Sequence, residues 1–260
     1  DAIINDAWGQ LFDGWPLQGD GDVDVRLELS LVDDVGAPNG RLTFTDTLNI
    51  INTYAGDSDD LRLHYLDGAL INLSLHGDAN TATGVMTPAA MQNGRFEDIT
   101  YTSLAPLLRR RGLFLIHAFA AAKNGRAILI VAASHQGKTT TGLSLVLDGW
   151  ELLSNDAVLL QKRCDAIYAL PTPGHVGIRQ PSLPLLPALG RLVKGKTAVN
   201  GAYDLTGGMV TNGRWANPAP INTIAFPHIA DRQVSELTPQ NSALSLAALM
   251  VESIDRWDTP

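Results

Sequence analysis

A short segment from Ala132 to Thr139 has the residue types needed to hold a chain of phosphates. The pattern of a phosphate-binding loop is glycine, any four residues, glycine, lysine, and then serine or threonine. The segment reads Ala132-Ala133-Ser134-His135-Gln136-Gly137-Lys138-Thr139. Alanine stands in the place of the first glycine, and the other fixed positions agree with the pattern. The loop can still serve if the backbone φ angle of Ala132 is negative.

The parts of such a loop have separate roles toward a nucleoside triphosphate. Backbone N–H groups at a helix N-terminus surround phosphate oxygens, and the lysine ammonium neutralises the outer phosphates. The hydroxyl of Thr139 can ligate Mg²⁺. We therefore predict a site for ATP or GTP with Mg²⁺. The predicted nucleotide contacts are Ser134, His135, Gln136, Gly137, Lys138, Thr139 and Thr140. The alternative is an ordinary strand-to-helix turn, because Gly-Lys-Thr alone also arises by chance.

Three further side chains are candidates for the same chemistry. Asp156 ends an apolar run that begins at Trp150, where a carboxylate could ligate Mg²⁺ or accept a proton, or could cap a strand-terminal turn. His117 lies in an apolar stretch, where a histidine is more often a satisfied core residue. Arg179 follows a proline turn and could clamp a phosphate in a bidentate manner, or lie at the surface as a strand-end arginine.

The elements around the loop are those that a phosphate site requires. Asn124-Gly125 is the strongest short-range signal for a hairpin turn, and residues 126–131 form an apolar run typical of a buried strand. Residues 138–148 predict a helix that ends at Gly149. The loop therefore joins a buried strand to a helix.

The rest of the chain is predicted in less detail. Residues 23–75 alternate apolar and polar side chains, which predicts antiparallel strands, and Asp20–Asp24 predicts an acidic turn. A short helix is expected from about 102 to 111, ending with Arg109-Arg110-Arg111 and Gly112, and a strand from 113 to 122.

After the loop, residues 150–170 predict two or three short strands. Residues 181–213 are rich in Pro, Gly and Leu, with one helix expected near 185–193, and could form a mobile loop over the site. A strand is expected at 221–226, and Thr238-Pro239 predicts the start of a helix that runs through Val251.

Four of these segments together resemble the HPr serine kinase/phosphorylase family, and in particular its short relatives near peptide-modification genes, such as the kinases of lasso-peptide precursors. The segments are Arg109-Arg-Arg-Gly-Leu-Phe-Leu-Ile-His117, the Asn124-Gly125 hairpin, the loop, and Gly149-Trp-Glu-Leu-Leu-Ser-Asn-Asp-Ala157. His117 precedes Lys138 by 21 residues and Asp156 follows it by 18, which is similar to the family's spacing. The resemblance covers roughly residues 105–180.

The resemblance implies a fold and a reaction. The fold would be α/β (α+β), with a P-loop core built on a mixed sheet as in HPr kinase and phosphoenolpyruvate carboxykinase. A β-rich part at 1–105 would recognise the substrate or buttress the core, and 106–260 would be the kinase-like domain. The reaction would be Mg²⁺-dependent transfer of the γ-phosphoryl group of ATP to a serine-type hydroxyl of a peptide or protein. The implied catalytic residues are Asp156, His117 and Lys138, and the implied metal ligands are Thr139 and Asp156.

Two departures from the family pattern leave other functions open. Ala132 replaces the first glycine of the loop, and Asn155 replaces the first member of an Asp-Asp pair. An asparagine can ligate a metal through its carbonyl oxygen, but it cannot act as a base. The alternatives are a nucleotide-binding regulatory module without transfer, and a small-molecule kinase or nucleotidyl transferase on the same core.

Composition limits the partners. The formal net charge of −8 and the pI near 5.1 argue against broad binding to nucleic acid. The longest apolar stretch, residues 113–122, is far shorter than the ~20 residues of a membrane-spanning helix. One cysteine, Cys164, has no partner for an internal disulfide, which favours a reducing cytoplasm. The acceptor, the choice between ATP and GTP, and the oligomeric state, a homo-oligomer included, stay open.

Overall fold

The computed structural model describes residues 2–15, 25–46, 51–56, 60–75, 81–92, 94–231, 234–255 and 257–258. The chain divides into two compact units. The first comprises Asp1–Gln10, Leu17–Gly112 and Trp257–Pro260, and the second comprises Leu11–Pro16 and Leu113–Arg256. The predicted acidic turn at Asp20–Asp24 lies outside the described residues.

The first unit is a six-stranded sheet with two helices. Its elements are α1 (Ala2–Leu11, whose last residue belongs to the second unit), β1 (Arg26–Leu31), β2 (Arg41–Asp46), β3 (Ile51–Ala55), β4 (Asp60–Tyr65), β5 (Ala69–Ser74), β6 (Thr81–Met86) and α2 (Arg95–Arg109). The strand order is β1-β6-β5-β4-β3-β2. Strands β2 to β6 form an antiparallel meander, as predicted for that part of the chain, but β1 pairs with β6 in parallel.

Helix α2 is longer than the predicted 102–111. It begins after Gly94, whose left-handed φ angle of 76° suits glycine, and Glu97 and Asp98 in the first turn complement the helix dipole. Phe96 and Ile99 are buried, so the added turns belong to the core. The domain boundary predicted between residues 105 and 106 lies inside α2, whereas the two units divide between Gly112 and Leu113. Arg110 of the basic run forms an ion pair with Asp258 at 2.6 Å.

The second unit is built on a seven-stranded mixed sheet, which confirms the predicted fold class. Its strands are β7 (Leu113–His117), β8 (Phe119–Lys123), β9 (Arg126–Ile130), β10 (Glu151–Ser154), β11 (Ala157–Arg163), β12 (Ala166–Leu170) and β15 (Ala219–Ala225), in the order β10-β8-β9-β15-β12-β11-β7. Only β9 and β15 are parallel within this sheet; its other described neighbours are antiparallel. The β8–β9 turn is the predicted Asn124-Gly125, with both φ angles positive.

The remaining elements of the second unit surround this sheet. They are α3 (Lys138–Leu147), β13 (His175–Arg179), α4 (Gly190–Val193), β14 (Ala202–Thr206), α5 (Gly207–Thr211) and α6 (Ser242–Val251), and β13 pairs with β14 in a separate ribbon. Residues 181–213 therefore form defined elements rather than the predicted loop. Helix α6 starts at Ser242 rather than near Thr238, because the Asn241 side chain accepts a hydrogen bond from the Ala243 N–H and caps it.

The predicted strand at 113–122 is two strands that bend at Ala118. Strand β7 pairs with β11 and β8 pairs with β10, and the register of Ser154 opposite Ala120 continues unshifted to Ala157 opposite His117. The Ala118 N–H donates to the Asp156 carbonyl at 3.2 Å within this ladder. Two long antiparallel strands thus pass together through one bend, with His117 on one strand and Asp156 on the other.

Alternate residues of β8 pack into two different hydrophobic clusters, one on each face of the sheet. Ala120 and Ala122 pack with Leu129 and Leu153 on one face, whereas Phe119 packs with residues such as Ile130 and Leu143 on the other. Helix α3 lies so close to the second face that a Cβ atom on Gly142 would be 2.4 Å from the Phe119 ring. The absence of a side chain at position 142 therefore allows α3 to pack this close to the sheet. Among the described residues, no helix is long and apolar enough to cross a membrane.

Candidate functional site

The loop from Ala132 to Gly137 leaves the carboxyl end of β9 and enters α3. The Val131 N–H donates to the Ala225 carbonyl at 2.9 Å, which fixes the start of the loop to the end of β15. His135 and Gly137 have left-handed φ angles of 70° and 89°, and Ala132 does not have a positive φ. An alanine can adopt this backbone at the position of the first glycine, as the sequence required.

The N-terminus of α3 is open to an anion. Gly137 is the N-cap residue and offers no side chain, and no described side chain caps the first turn. The first N–H groups of a helix have no intrahelical partner, and the helix dipole favours negative charge there. Thr139 is half-buried in this first turn. The geometry therefore suits a phosphate held by backbone amides.

Lys138 is the most unusual residue of the site because its ammonium group is buried. Its side chain is 7% exposed, and Nζ donates to the Asn155 carbonyl at 3.0 Å and to Oδ1 of Asp156. A buried charge is retained only where partners compensate for the lost water. An ammonium group has three N–H donors, and these two contacts leave one donor for a phosphate oxygen.

Asp156 joins Lys138 to His117. Its Oδ1 atom lies 3.6 Å from Nε2 of His117, and its side chain is 49% exposed. Burial of the carboxylate acts to raise its pKa, but the positive charge of Lys138 and the contacts with both neighbours outweigh burial and lower the pKa to about 2. Asp156 is therefore an anion at neutral pH that also reaches solvent.

His117 lies between two carboxylates. Its Nδ1 atom is 2.6 Å from Oε2 of Glu252, and its Nε2 atom faces Asp156. Burial acts to lower the pKa of His117, and Lys138 acts in the same direction, but the contacts with Asp156 and Glu252 prevail and raise the pKa above its ordinary value. His117 thus has an acid at each ring nitrogen and is half-buried, and its role in the reaction stays a prediction.

Asn155 takes part in the site through its backbone and its side-chain amide. Its carbonyl accepts from Lys138, and Nδ2 donates to Oδ2 of Asp156 at 2.6 Å and to the His175 carbonyl at 3.1 Å. The residue is 4% exposed, and its buried Oδ1 atom has no hydrogen-bond partner among the described residues. Amide and carboxylate oxygens are both ligands that Mg²⁺ can bind.

Two contacts join the loop and the start of α3 to the end of β13 and the residues that follow it. An Arg179 N–H donates to Nε2 of His135 at 3.1 Å, and the hydroxyls of Thr140 and Ser182 lie 2.9 Å apart. Arg179 and His135 are both exposed. A second cation is therefore available beside the tip of the loop.

A cavity of about 300 Å³ opens on the other side of the loop. Its lining is mostly apolar and includes Ala132, Phe226, Val251 and the polar residues Gln136 and Glu252. A larger cavity, of about 430 Å³, lies at the Asn124 turn, far along β9 from the loop. The smaller cavity is the one that adjoins the predicted site.

The structure brings together Lys138, Asp156 and His117, and places Arg179 against His135. It also adds Glu252, which no sequence pattern selects, since this residue follows an apolar helix and contacts a residue 135 positions earlier. Within the described ranges, no group of three or more His, Cys, Asp and Glu side chains is arranged to hold a metal ion. The assignment of Thr139 and Asp156 to Mg²⁺ stays a prediction.

Comparisons with known proteins do not assign a role to these residues. No family model matches the chain, and no curated protein matches it in sequence. Among solved structures, the Hpr(Ser) kinase/phosphatase from Coxiella burnetii is similar, with a TM-score of 0.30 and 17% identity over 49% of this chain and 72% of that chain. Structures this far apart need not share a reaction. Function must therefore be argued from the side chains around Lys138.

Proposed function

We propose that this chain binds ATP or GTP at the 132–139 loop and transfers the γ-phosphoryl group to a serine-type hydroxyl of a peptide or protein. The observation that carries the proposal is the buried ammonium of Lys138 at an open helix N-terminus, joined through Asp156 to His117. A buried lysine with one free donor, beside uncapped amides and an exposed carboxylate, matches what phosphoryl transfer needs.

In this proposal the residues of the loop bind and orient the triphosphate. The amides of the first turn of α3 and the Lys138 ammonium hold the outer phosphates, and Arg179 and His135 contact them from the other side of the loop. Thr139 and Asp156 would hold Mg²⁺, which would supply charge that neutralises the triphosphate. The donor set, all oxygen, is of the kind that Mg²⁺ prefers.

The transfer itself forms a bond between the serine oxygen and the γ-phosphorus and breaks the bond from that phosphorus to the β–γ bridging oxygen. The nucleoside diphosphate leaves, and the serine proton passes to the Asp156 carboxylate. A carboxylate with a pKa of about 2 is a weak base, so Asp156 orients the hydroxyl and accepts the proton late. Most of the acceleration then comes from positioning and charge neutralisation. His117 orients the acceptor or stabilises charge on the transferred group.

The experiment that tests this proposal uses ATP labelled separately at the α- and γ-phosphates, with serine-containing peptides as acceptors. We expect the γ-label on the peptide, and the α-label only in the released diphosphate. An α-label on the product would show a nucleotidyl transferase instead. Labelling of a small alcohol but of no peptide would identify a small-molecule kinase.

A nucleotide-binding regulatory module without transfer is the second candidate, and Asn155 is the observation that favours it. The residue is buried where the resembling family has an acid, and its Nδ2 group is committed to two acceptors. This candidate predicts nucleotide binding with no labelled product, in the wild type and in Asn155→Asp alike. Transfer by the wild type would exclude it. The cytoplasmic location, the acceptor and a homo-oligomeric state stay predictions.

A further inference from the structure

The C-terminal end of the second unit reaches back to the centre of the candidate site. After α6 ends at Val251, residues 252–254 run beside β7, and Ser253 forms an isolated antiparallel bridge with Ile116. The His117 N–H donates to the Glu252 carbonyl at 2.8 Å, and the Ile254 N–H donates to the Leu115 carbonyl at 3.2 Å. This backbone pairing fixes the Cα position of Glu252 directly beside that of His117.

The side chain of Glu252 uses this position to contact the imidazole ring. Oε2 lies 2.6 Å from Nδ1, and the Glu252 side chain is only 16% exposed. The Glu252 N–H donates to the Leu249 and Met250 carbonyls, so the residue is also held as the C-cap of α6. Backbone and side chain therefore both hold His117, which leaves little freedom for the ring to rotate.

A hydrogen bond at one imidazole nitrogen determines what the other nitrogen can do. Each ring nitrogen faces a carboxylate, which can only accept, but Nδ1 lies 2.6 Å from Glu252 whereas Nε2 lies 3.6 Å from Asp156. The proton of the neutral ring therefore lies on Nδ1, and Nε2 is directed at Asp156. Without Glu252 the ring could turn or change tautomer, and Nε2 would no longer be fixed toward the reacting groups. Carboxylate partners of this kind commonly orient functional histidines.

We propose that Glu252 is the positioning residue of His117: it accepts a hydrogen bond from Nδ1–H, fixes the tautomer and the ring plane, and so directs Nε2 toward Asp156 and the transferred group. The catalytic part of this inference rests on the proposed phosphotransfer, whereas the orientation of the ring does not. Glu252 contacts neither the loop lysine nor the first turn of α3 in any described hydrogen bond, so its effect on transfer should pass through His117.

The test compares Glu252→Ala, Glu252→Gln and the control Glu151→Gln. Glu151 is an exposed residue at the start of β10, in the same unit. A glutamine at 252 can still accept from Nδ1–H through its carbonyl oxygen, whereas an alanine cannot. We expect kcat for transfer to fall roughly 10- to 100-fold in Glu252→Ala, to recover largely in Glu252→Gln, and to stay unchanged in Glu151→Gln. The KM for ATP should stay within about twofold in all three, because the loop is untouched.

The second readout is the ¹⁵N NMR spectrum of the His117 ring, recorded above its titration so that the neutral form is observed. We expect the Nδ1–H tautomer in the wild type and in Glu252→Gln, and a mixture of tautomers in Glu252→Ala. A wild-type ring that is protonated on Nε2, or a tautomer that Glu252→Ala leaves unchanged, would overturn the inference whether or not the protein transfers phosphate. A shifted tautomer with unchanged kcat would overturn the catalytic part.

If the wild type binds nucleotide but transfers nothing, the proposed function fails, and the NMR spectra alone decide the positioning role. If Glu252→Ala lacks the near-UV CD signal of the folded protein, kcat is compared instead among the wild type, Glu252→Gln and Glu252→Asp. A shorter carboxylate cannot reach Nδ1 without moving the chain, so Glu252→Asp should lower kcat whereas Glu252→Gln should not. Equal kcat in these two variants would contradict the proposal.

Discussion

The second unit contains two lysine–aspartate pairs, one at each end of the β8–β9 hairpin. At the turn, Lys123 and Asp148 are 3.2 Å apart, with side chains 37% and 76% exposed. At the loop, the Lys138 side chain is 7% exposed and bonds to Asp156, which contacts His117 in turn. The two pairs have the same charged groups but opposite surroundings.

This difference supports the functional role proposed for the pair at the loop. An exposed ion pair contributes about 0–1 kcal/mol, because water screens the attraction and the side chains lose freedom. Burying a lysine is costly, and such a pair is often no more stable than an apolar replacement. The Lys138–Asp156 pair is therefore poorly explained by stability. An ammonium group held ready for phosphate explains it better, and substitutions at both ends can test this contrast.

The largest difference is expected in the rate of phosphoryl transfer when each of the two aspartates is replaced. Asp156→Asn removes the proton acceptor and a charged metal ligand, and should lower the rate of phosphoryl transfer by roughly 10²- to 10⁴-fold. Asp148→Asn should leave the rate unchanged. Single-turnover assays with γ-labelled ATP measure the effect. Equal rates in Asp156→Asn and the wild type would remove Asp156 from the reaction.

The two lysines should differ in nucleotide affinity. Lys138→Ala removes a charge-assisted hydrogen bond worth about 1.5–3 kcal/mol, and so should weaken ATP binding at least about tenfold in titration calorimetry. Lys123→Ala serves as the control, with unchanged affinity. If both variants bind ATP like the wild type, the loop is not the nucleotide site.

The packing beneath Lys138 should be less tolerant than an open strand position. A methyl group at 142 would lie 2.4 Å from the Phe119 ring, whereas nothing lies within 4 Å of the same atom at Gly177. We expect Gly142→Ala to lower the free energy of unfolding by about 1–3 kcal/mol through overpacking. Gly177→Ala should be close to neutral in the same urea titrations. A stable Gly142→Ala variant would mean that α3 can move away from the sheet.

Acid should remove the stabilising contribution of the buried pair. The folded pKa of Asp156, about 2, lies below its ordinary value of 3.8. Its contribution is therefore fully present above pH 3.8 and is lost as the pH falls through about 2. Because Asp156 also raises the pKa of His117, the comparison between wild type and Asp156→Asn begins below the titration of His117. From there the difference in unfolding free energy should stay constant down to pH 4 and narrow below that. A difference that is constant down to pH 2 would contradict the pairing in solution.

The smallest effect is expected at the exposed pair. Lys123→Ala should change the free energy of unfolding by less than about 1 kcal/mol, and added salt should reduce even that change. Thermal unfolding at low and high ionic strength measures both. If Lys123→Ala lowered the free energy of unfolding by several kcal/mol, the exposed pair would contribute more to stability than an exposed ion pair should.

Local patterns predicted the part of the fold that carries the loop. The Asn124-Gly125 turn, the apolar strand that follows it and the helix from Lys138 depend on contacts between neighbours in sequence, and all three are present. The predicted strand at 113–122 was wrong in one respect. It is uniformly apolar, so nothing in its periodicity indicated the bend at Ala118, which the pairing with residues 154–157 determines.

Local sequence patterns also predicted only part of the site. Lys138 follows from the loop pattern, and spacing together with the resemblance selected His117 and Asp156, although their roles stay predictions. Glu252 could not be found in this way. Its contact with His117 depends on the isolated bridge between Ser253 and β7, and no local pattern encodes a pairing across 135 positions.

The pairing register also determines which side chains meet beside the loop. His117 pairs with Ala157 and Ala118 bonds to Asp156, so His117 and Asp156 are diagonal neighbours, whose side chains would point to opposite faces in a regular pair of strands. They approach to 3.6 Å at a point where both chains leave regular strand structure, at Ala118 on one and at residues 155–156 on the other. A shift of the register by one residue would bring a different pair of residues to this irregularity. The contact between histidine and aspartate is thus a product of the irregularity rather than of the sheet.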